Sequence, residues 1–187
     1  MLGVYTSVTT AHDWHLVLLA AAIGLLASAA TIGLFHRAKA KEGHAQIIWL
    51  SLDAITAGCG FWATHFVAML GYSSAIGVGY DHGLTFLSLL VAVLISGLGL
   101  AIALKSAGRA AAIGGAVIGG GISAMHYIGV LALELPSRII WSPNLVAASV
   151  ALGIGFGSLA LFVAARREGW ANRNVSMTLR HSWSRVY

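Results

Sequence analysis

Two short segments hold the residues best suited to chemistry. Trp62-Ala-Thr-His65-Phe-Val-Ala-Met69 and Ser123-Ala-Met125-His126-Tyr127 each set a histidine in an otherwise apolar stretch. An imidazole is costly in an apolar span, so an ionisable residue there marks a functional site by default. Met69 follows His65 by one helical turn and so shares its helix face. Met125 adjoins His126, and its side chain leaves the helix about 100° away. Imidazole binds copper in both oxidation states, and soft thioether sulfur selects Cu(I). His65, Met69, Met125 and His126 are therefore the candidate metal ligands, with copper the metal they suit. Two histidines at matched depth on two helices would also serve bis-His haem ligation. The plainest alternative is packing: each histidine would hydrogen-bond a neighbouring helix, and duplication would produce two such cases.

The supporting candidates are fewer. Tyr127 can offer a phenol oxygen, a hydrogen bond to a ligand, or an anchor at the membrane interface. His12 with Asp13, and Asp81 with His82, stand where two apolar runs begin; they would complete a site, orient its imidazoles or serve as ordinary interfacial polar groups. Asp53 is the one acid inside an apolar run. It would join a proton path, bond a Ser or Thr on a neighbour, or reach the inner interface. Cys59 reads as a small core residue, and a single cysteine permits no internal disulfide. The chain has no phosphate-cradling Gly loop before a Lys, no CxxC and no nucleophile elbow, so it is not expected to be an enzyme.

The elements that must position these residues are membrane helices. Of 187 residues, 58% are hydrophobic and 9% charged, against roughly 25% charged in an ordinary soluble domain. Crossing about 30 Å of hydrocarbon takes roughly 20 apolar residues in a helix. Five runs qualify: 14–35, 47–70, 84–104, 111–133 and 145–165. They are continuous rather than alternating, which excludes barrel strands. The fold class is all-α, a polytopic membrane bundle. No Lys or Arg precedes the first run, so it is expected to be a spanning helix and not a cleaved leader.

Charge gives the expected orientation. Arg37, Lys39 and Lys41 follow the first run, Lys105 and Arg109 the third, and Arg166, Arg167, Arg173, Arg180 and Arg185 the fifth. Basic residues stay cytoplasmic, which puts the N-terminus outside and the C-terminus inside. The net charge of +5 is then a cytoplasmic-face signal with attraction for anionic lipid, and nucleic acid is not needed to explain it. Residues 172–187 are polar, hold three arginines and should not span.

An internal repeat runs through the chain. Asp13-x-x-Leu16 recurs as Asp81-x-x-Leu84, and the same register sets Ser28 over Ser96 and Arg37 over Lys105. In the return helices a second constant offset relates Gly58, His65 and Met69 to Gly119, His126 and Val130. The unit is a descending helix, a short basic turn and a return helix with a histidine near its outer end. A third unit begins with the fifth run. Gly115-x-x-x-Gly119 and Gly153-x-x-x-Gly157 are the small-residue pairs that let helices approach closely in lipid.

With motif, spacing and repeat together, the sequence resembles the MHYT family of bacterial membrane sensor domains, over residues 10–168. Met125-His126-Tyr127 matches the Met-His-Tyr-Thr motif with Ile128 in place of Thr, followed by the expected Gly129. Gly60-Phe-Trp-Ala-Thr-His-Phe matches a first copy in which Thr64 replaces Met, and Val130 replaces the Met that usually follows the second motif. His12-Asp13 and Tyr80-Asp81 match the helix starts.

The resemblance implies copper bound through Met and His, sensing of oxygen, carbon monoxide or nitric oxide, and a link to cyclic-di-GMP-turnover or kinase output domains. It thus implies a sensor domain over 1–168 with a basic cytoplasmic tail over 169–187, in the bacterial plasma (inner) membrane. Against the family pattern, neither a sixth helix with a third motif copy nor an output domain is expected within these 187 residues. The expected partners are the lipid bilayer and a separate signalling output protein; a homo-oligomer is compatible with the sequence. A haem-binding subunit, or a small transporter or structural subunit without metal, is the alternative.

Overall fold

In a computed structural model, residues 13–73, 79–105, 108–134 and 141–183 are described, those at 72, 73 and 167–183 by backbone alone. Five helices follow in order: α1 (Trp14–Lys39), α2 (Gly43–Ser73), α3 (His82–Leu104), α4 (Arg109–Leu131) and α5 (Pro143–Trp183). All five contain a stretch long and apolar enough to cross a membrane. In lipid every backbone amide and carbonyl must be satisfied within the segment, which an apolar helix does by itself. The expected spans agree with these helices to within a few residues at most ends.

Local chemistry sets the ends. The Asp13 carboxylate accepts from the His15 amide at 2.9 Å, and the Asp81 carboxylate from the Leu84 amide at 2.7 Å. Both are side-chain caps on otherwise orphaned amides. At the other end of the bundle α2 starts from Gly43 at φ +59°, and α4 follows Gly108 at φ +93°, a backbone region that glycine enters without steric cost.

Consecutive helices pack side by side, α1 on α2, α2 on α3, α3 on α4 and α4 on α5; α2 also touches α4. The interior is built from small residues. Ala54, Ala57, Ala92, Ala103 and Ala111 are buried, whereas Leu25, Leu26, Phe86, Leu94, Leu145 and Phe156 are exposed. Large apolar side chains facing outward along every helix suit lipid, and close contact of small ones supplies the packing. Gly115 meets the Gly157 carbonyl and Gly119 that of Gly153, so the two expected glycine pairs face each other across α4 and α5.

The sequence repeat is also a repeat of contacts. The Asp13 amide donates to the Gly71 carbonyl at 3.0 Å, and the Asp81 amide to that of Ala132 at 2.7 Å. Ala27 packs on Gly60 as Ile95 packs on Gly121, and Gly58 meets Val93 as Gly119 meets Ile154. Asp13 and Ala27 on α1 share one offset to their counterparts, and the partners on later helices share the other.

Several features depart from expectation. A two-residue antiparallel ribbon pairs β1 (Gly79–Tyr80) with β2 (Leu133–Glu134), and α4 stops at Leu131, two residues short of the expected end of the fourth span. α5 runs unbroken to Trp183, past its spanning stretch Pro143–Arg166, which is compatible with a polar tail that does not span. Cys59 is exposed, so it faces lipid and not the core. Asp53 neither reaches the interface nor bonds a neighbouring hydroxyl; it is fully buried with both carboxylate oxygens unpartnered.

Candidate metal centre

His65 on α2 and His126 on α4 converge although a whole hairpin of chain separates them. Their ring centroids lie 4.8 Å apart at 70°, and the two Nδ1 atoms are 3.3 Å apart. α2 and α4 are not consecutive; α3 holds them in place by packing on both. The repeat puts both histidines at the same level of their helices, so the meeting is a consequence of equivalent hairpins set side by side.

The separation of 3.3 Å fits two arrangements. One Nδ1–H can donate to the other Nδ1. Alternatively both nitrogens, unprotonated, can face one ion: ligands about 2.0–2.1 Å from a tetrahedral metal stand about 3.4 Å apart. Axial haem ligands on opposite sides of an iron would be about 4 Å apart with the macrocycle between them. Here the rings touch directly, so bis-His haem fits poorly.

Glycine makes room for the pair. A Cβ on Gly129 would lie 2.7 Å from His65 Nε2. That nitrogen is buried and has no hydrogen-bond partner. The Phe66 ring meets the His65 ring edge-on at 5.2 Å and in turn packs against Trp62 and Tyr80. Trp62 Nε1 donates to Ser88 Oγ on α3 at 3.1 Å, which fixes this aromatic group to the bundle. On the other side Tyr127 contacts His126 at 5.0 Å and Trp141 at 5.3 Å, and its hydroxyl hydrogen-bonds Ser149 on α5.

A cavity of about 330 Å³ adjoins the pair, lined by His65, Met125, His126, Tyr127, Ser149 and Gly153 among others. Met125 is 1% exposed and brings the soft sulfur that suits Cu(I) to the same cavity. Met69 is half-buried and is not among the residues lining it. Among the described residues no group of three or more His, Cys, Asp or Glu is poised for a metal, so a copper site here would draw on the two imidazoles and a thioether.

The supporting candidates are mostly elsewhere. The Asp13 and Asp81 side chains are occupied as helix caps, His82 is exposed at the start of α3, and His12 lies outside the described residues. Of the described residues in that group Tyr127 alone lines the cavity. Ser149 was not singled out from the sequence. The repeat held its signal, since Ser149 stands to Ser88 as His126 stands to His65. Each serine hydrogen-bonds an aromatic residue on the preceding helix.

Comparison with known proteins bears on this arrangement. The family model MHYT, described as "Bacterial signalling protein N terminal repeat", matches residues 58–116 and 119–176. The two copies begin at Gly58 and Gly119, which the repeat pairs, and each opens on a return helix. A signalling protein of Caulobacter vibrioides is 38% identical over 162 residues, 85% of this chain and 20% of its own length. The bifunctional diguanylate cyclase/cyclic di-GMP phosphodiesterase MucR of Pseudomonas aeruginosa is 34% identical over 168 residues, 89% of this chain and 24% of that one. The cyclic di-GMP phosphodiesterase NbdA of the same organism is 35% identical over 148 residues, 78% and 19% respectively. The chain thus spans about a fifth to a quarter of the length of these relatives. No solved structure matches it. With both repeat copies matched over more than half its length, the chain belongs to the MHYT family of bacterial signalling proteins.

Proposed function

We propose that this domain is a membrane sensory module that holds copper between α2 and α4, near the outer face of the bacterial inner membrane. The observation that carries the reading is the pair of Nδ1 atoms 3.3 Å apart beside a cavity that Met125 also lines. His65 and His126 would present their Nδ1 atoms and Met125 its sulfur, with Met69 one turn beyond His65. When bound, copper supplies a redox-active, Lewis-acidic centre able to take up oxygen, carbon monoxide or nitric oxide. The cavity of about 330 Å³ has room for such a molecule, a water occupying about 30 Å³ of liquid.

The protein's part is to hold the two imidazoles unprotonated at Nδ1, exclude water with the Phe66–Trp62 group and Tyr127, and turn a change in ligation into movement of α4 against α2. Glycine contacts at α4 and α5 leave little side-chain bulk to absorb such a shift, so α5 would carry it to the opposite face. The helix ends rich in Arg and Lys face the cytoplasm in this reading. An output protein of cyclic-di-GMP turnover receives the signal; the relatives' names support that class of partner. The domain has no catalysis of its own.

Metal analysis and an optical spectrum of the detergent-purified protein, repeated for His65→Ala and His126→Ala, test the proposal. Copper should copurify, no Soret band should appear, and either substitution should abolish most of the binding, the double variant being little worse. Undiminished copper in both single variants would leave a packing pair.

A further inference from the structure

A second polar pair lies far from the histidines, in the half of the bundle that holds the basic turns. Asp53 on α2 is 0% exposed, and both its carboxylate oxygens are buried without a hydrogen-bond partner among the described residues. About 18 Å of helix separates it from His65. Thr31 on α1 has a buried hydroxyl that is likewise unpartnered. Other hydroxyls within the spans behave differently: Ser28, Thr56, Thr64 and Ser123 each donate to the carbonyl one turn back. The Thr31 hydroxyl does not.

By the repeat, Thr31 and Asp53 take the positions of a facing pair in the second hairpin. Thr31 corresponds to Gly99 by the offset that relates Asp13 to Asp81, and Asp53 to Gly114 by the offset that relates His65 to His126. Gly99 and Gly114 face one another across α3 and α4, each next to the other's carbonyl. The first hairpin keeps the same contacts at Asp13–Gly71 and Ala27–Gly60 as the second does at its counterparts. So the two positions at which the second hairpin closes glycine on glycine hold a hydroxyl and a carboxylate in the first. Neither bonds the other. Phe35 and Ala57, one helical turn beyond Thr31 and Asp53, belong to a hydrophobic cluster with Leu100 and Ala103, and among the described residues the basic and titratable groups His36, Arg37, Lys39, Lys105 and Arg109 of α1, α3 and α4 stand at the helix ends.

A lone carboxylate in such surroundings carries a large desolvation cost unless one positive charge compensates it. The donors are all oxygen, which favours a hard cation over copper. One negative charge calls for one positive charge. We propose that Thr31 and Asp53 form a monovalent-cation site between α1 and α2, taking a sodium ion or a proton, separate from the histidine pair and independent of what that pair binds.

The full chain in detergent is assayed by thermal unfolding in sodium chloride against choline chloride at constant ionic strength, and across pH 5–9. The variants are Asp53→Asn, which keeps the shape and removes the charge, and Thr31→Val, which removes only the hydroxyl. If sodium is the ligand, the wild-type midpoint rises by a few degrees for each tenfold increase in sodium. Asp53→Asn loses that response, and Thr31→Val needs several-fold more sodium. If the ligand is a proton, sodium has no effect, wild type and Asp53→Asn differ in their pH dependence, and the wild type shows the infrared carbonyl band of a buried carboxylic acid that Asp53→Asn lacks. The infrared band can be read on wild type alone if Asp53→Asn does not fold, with Thr31→Val shifting its frequency. Wild type and both variants responding alike to sodium and to pH, with no carboxylic acid band, would overturn the proposal.

Discussion

Gly129→Ala is the most informative single change, because it adds one methyl group beside the histidine pair without altering any polar atom. The added Cβ would lie 2.7 Å from His65 Nε2, 3.1 Å from its Cδ2 and 3.4 Å from Phe66 Cε2. Ordinary contact begins at 3.4 Å, so the His65 ring must move by about 0.7 Å, or α4 must withdraw by as much. Either movement changes the 3.3 Å between the two Nδ1 atoms. Metal–ligand distances tolerate about 0.2 Å, several times less than the displacement. Misplacing a ligand through its surroundings typically costs about 10–100-fold in metal affinity, and that is the expected loss for copper. Overpacking costs about 1–3 kcal/mol, partly offset by the better helix propensity of Ala, up to about 1 kcal/mol. Copper titration and thermal unfolding in detergent read the two effects separately. Gly155→Ala is the control, since nothing lies within 4 Å of its added Cβ, and it should leave both unchanged or slightly raise stability. Wild-type copper affinity in Gly129→Ala would refute the argument that this glycine sets the geometry of the pair.

Met125→Leu nearly conserves volume, so it should cost under about 1.5 kcal/mol in stability yet weaken Cu(I) more than Cu(II); Met69→Leu, outside the cavity lining, should weaken Cu(I) less, and equal losses would show that both sulfurs bind. Gly119→Ala meets the Gly153 carbonyl, a backbone atom that can yield only if α4 and α5 part, so its midpoint of unfolding should fall by an amount equivalent to about 1–3 kcal/mol or more, which differential scanning fluorimetry will measure. For orientation, an impermeant thiol reagent on intact cells, in a Cys59→Ser background, should modify Glu134→Cys and spare Lys41→Cys; the opposite labelling would invert the topology.

The number of helices, their approximate bounds and the repeat were legible in the sequence. In lipid a run of about 20 apolar residues has few alternatives to a helix, because its backbone must bond to itself. The histidines stood out for a related reason: an imidazole in such a run is costly enough to be noticed. The glycine pairs were legible as contact positions because close approach in lipid requires small residues.

What the sequence left open depended on which faces meet. Spacing along a helix gives the level of a side chain but not its neighbour across the bundle. Met69 shared the helix face of His65 and Met125 left its helix about 100° from His126, yet it is Met125 that lines the cavity, while Met69 is not among its lining residues. Asp13 and Asp81 looked available, and the helix starts claimed them as caps. Cys59 and Asp53 were each judged by residue type, one as core and one as bound for the interface or a neighbour's hydroxyl. The rotation of α2 in the bundle turned Cys59 outward and Asp53 inward. Periodicity could fix the angle between those two residues around α2, but only contact with α1, α3 and α4 could choose which of them faced lipid.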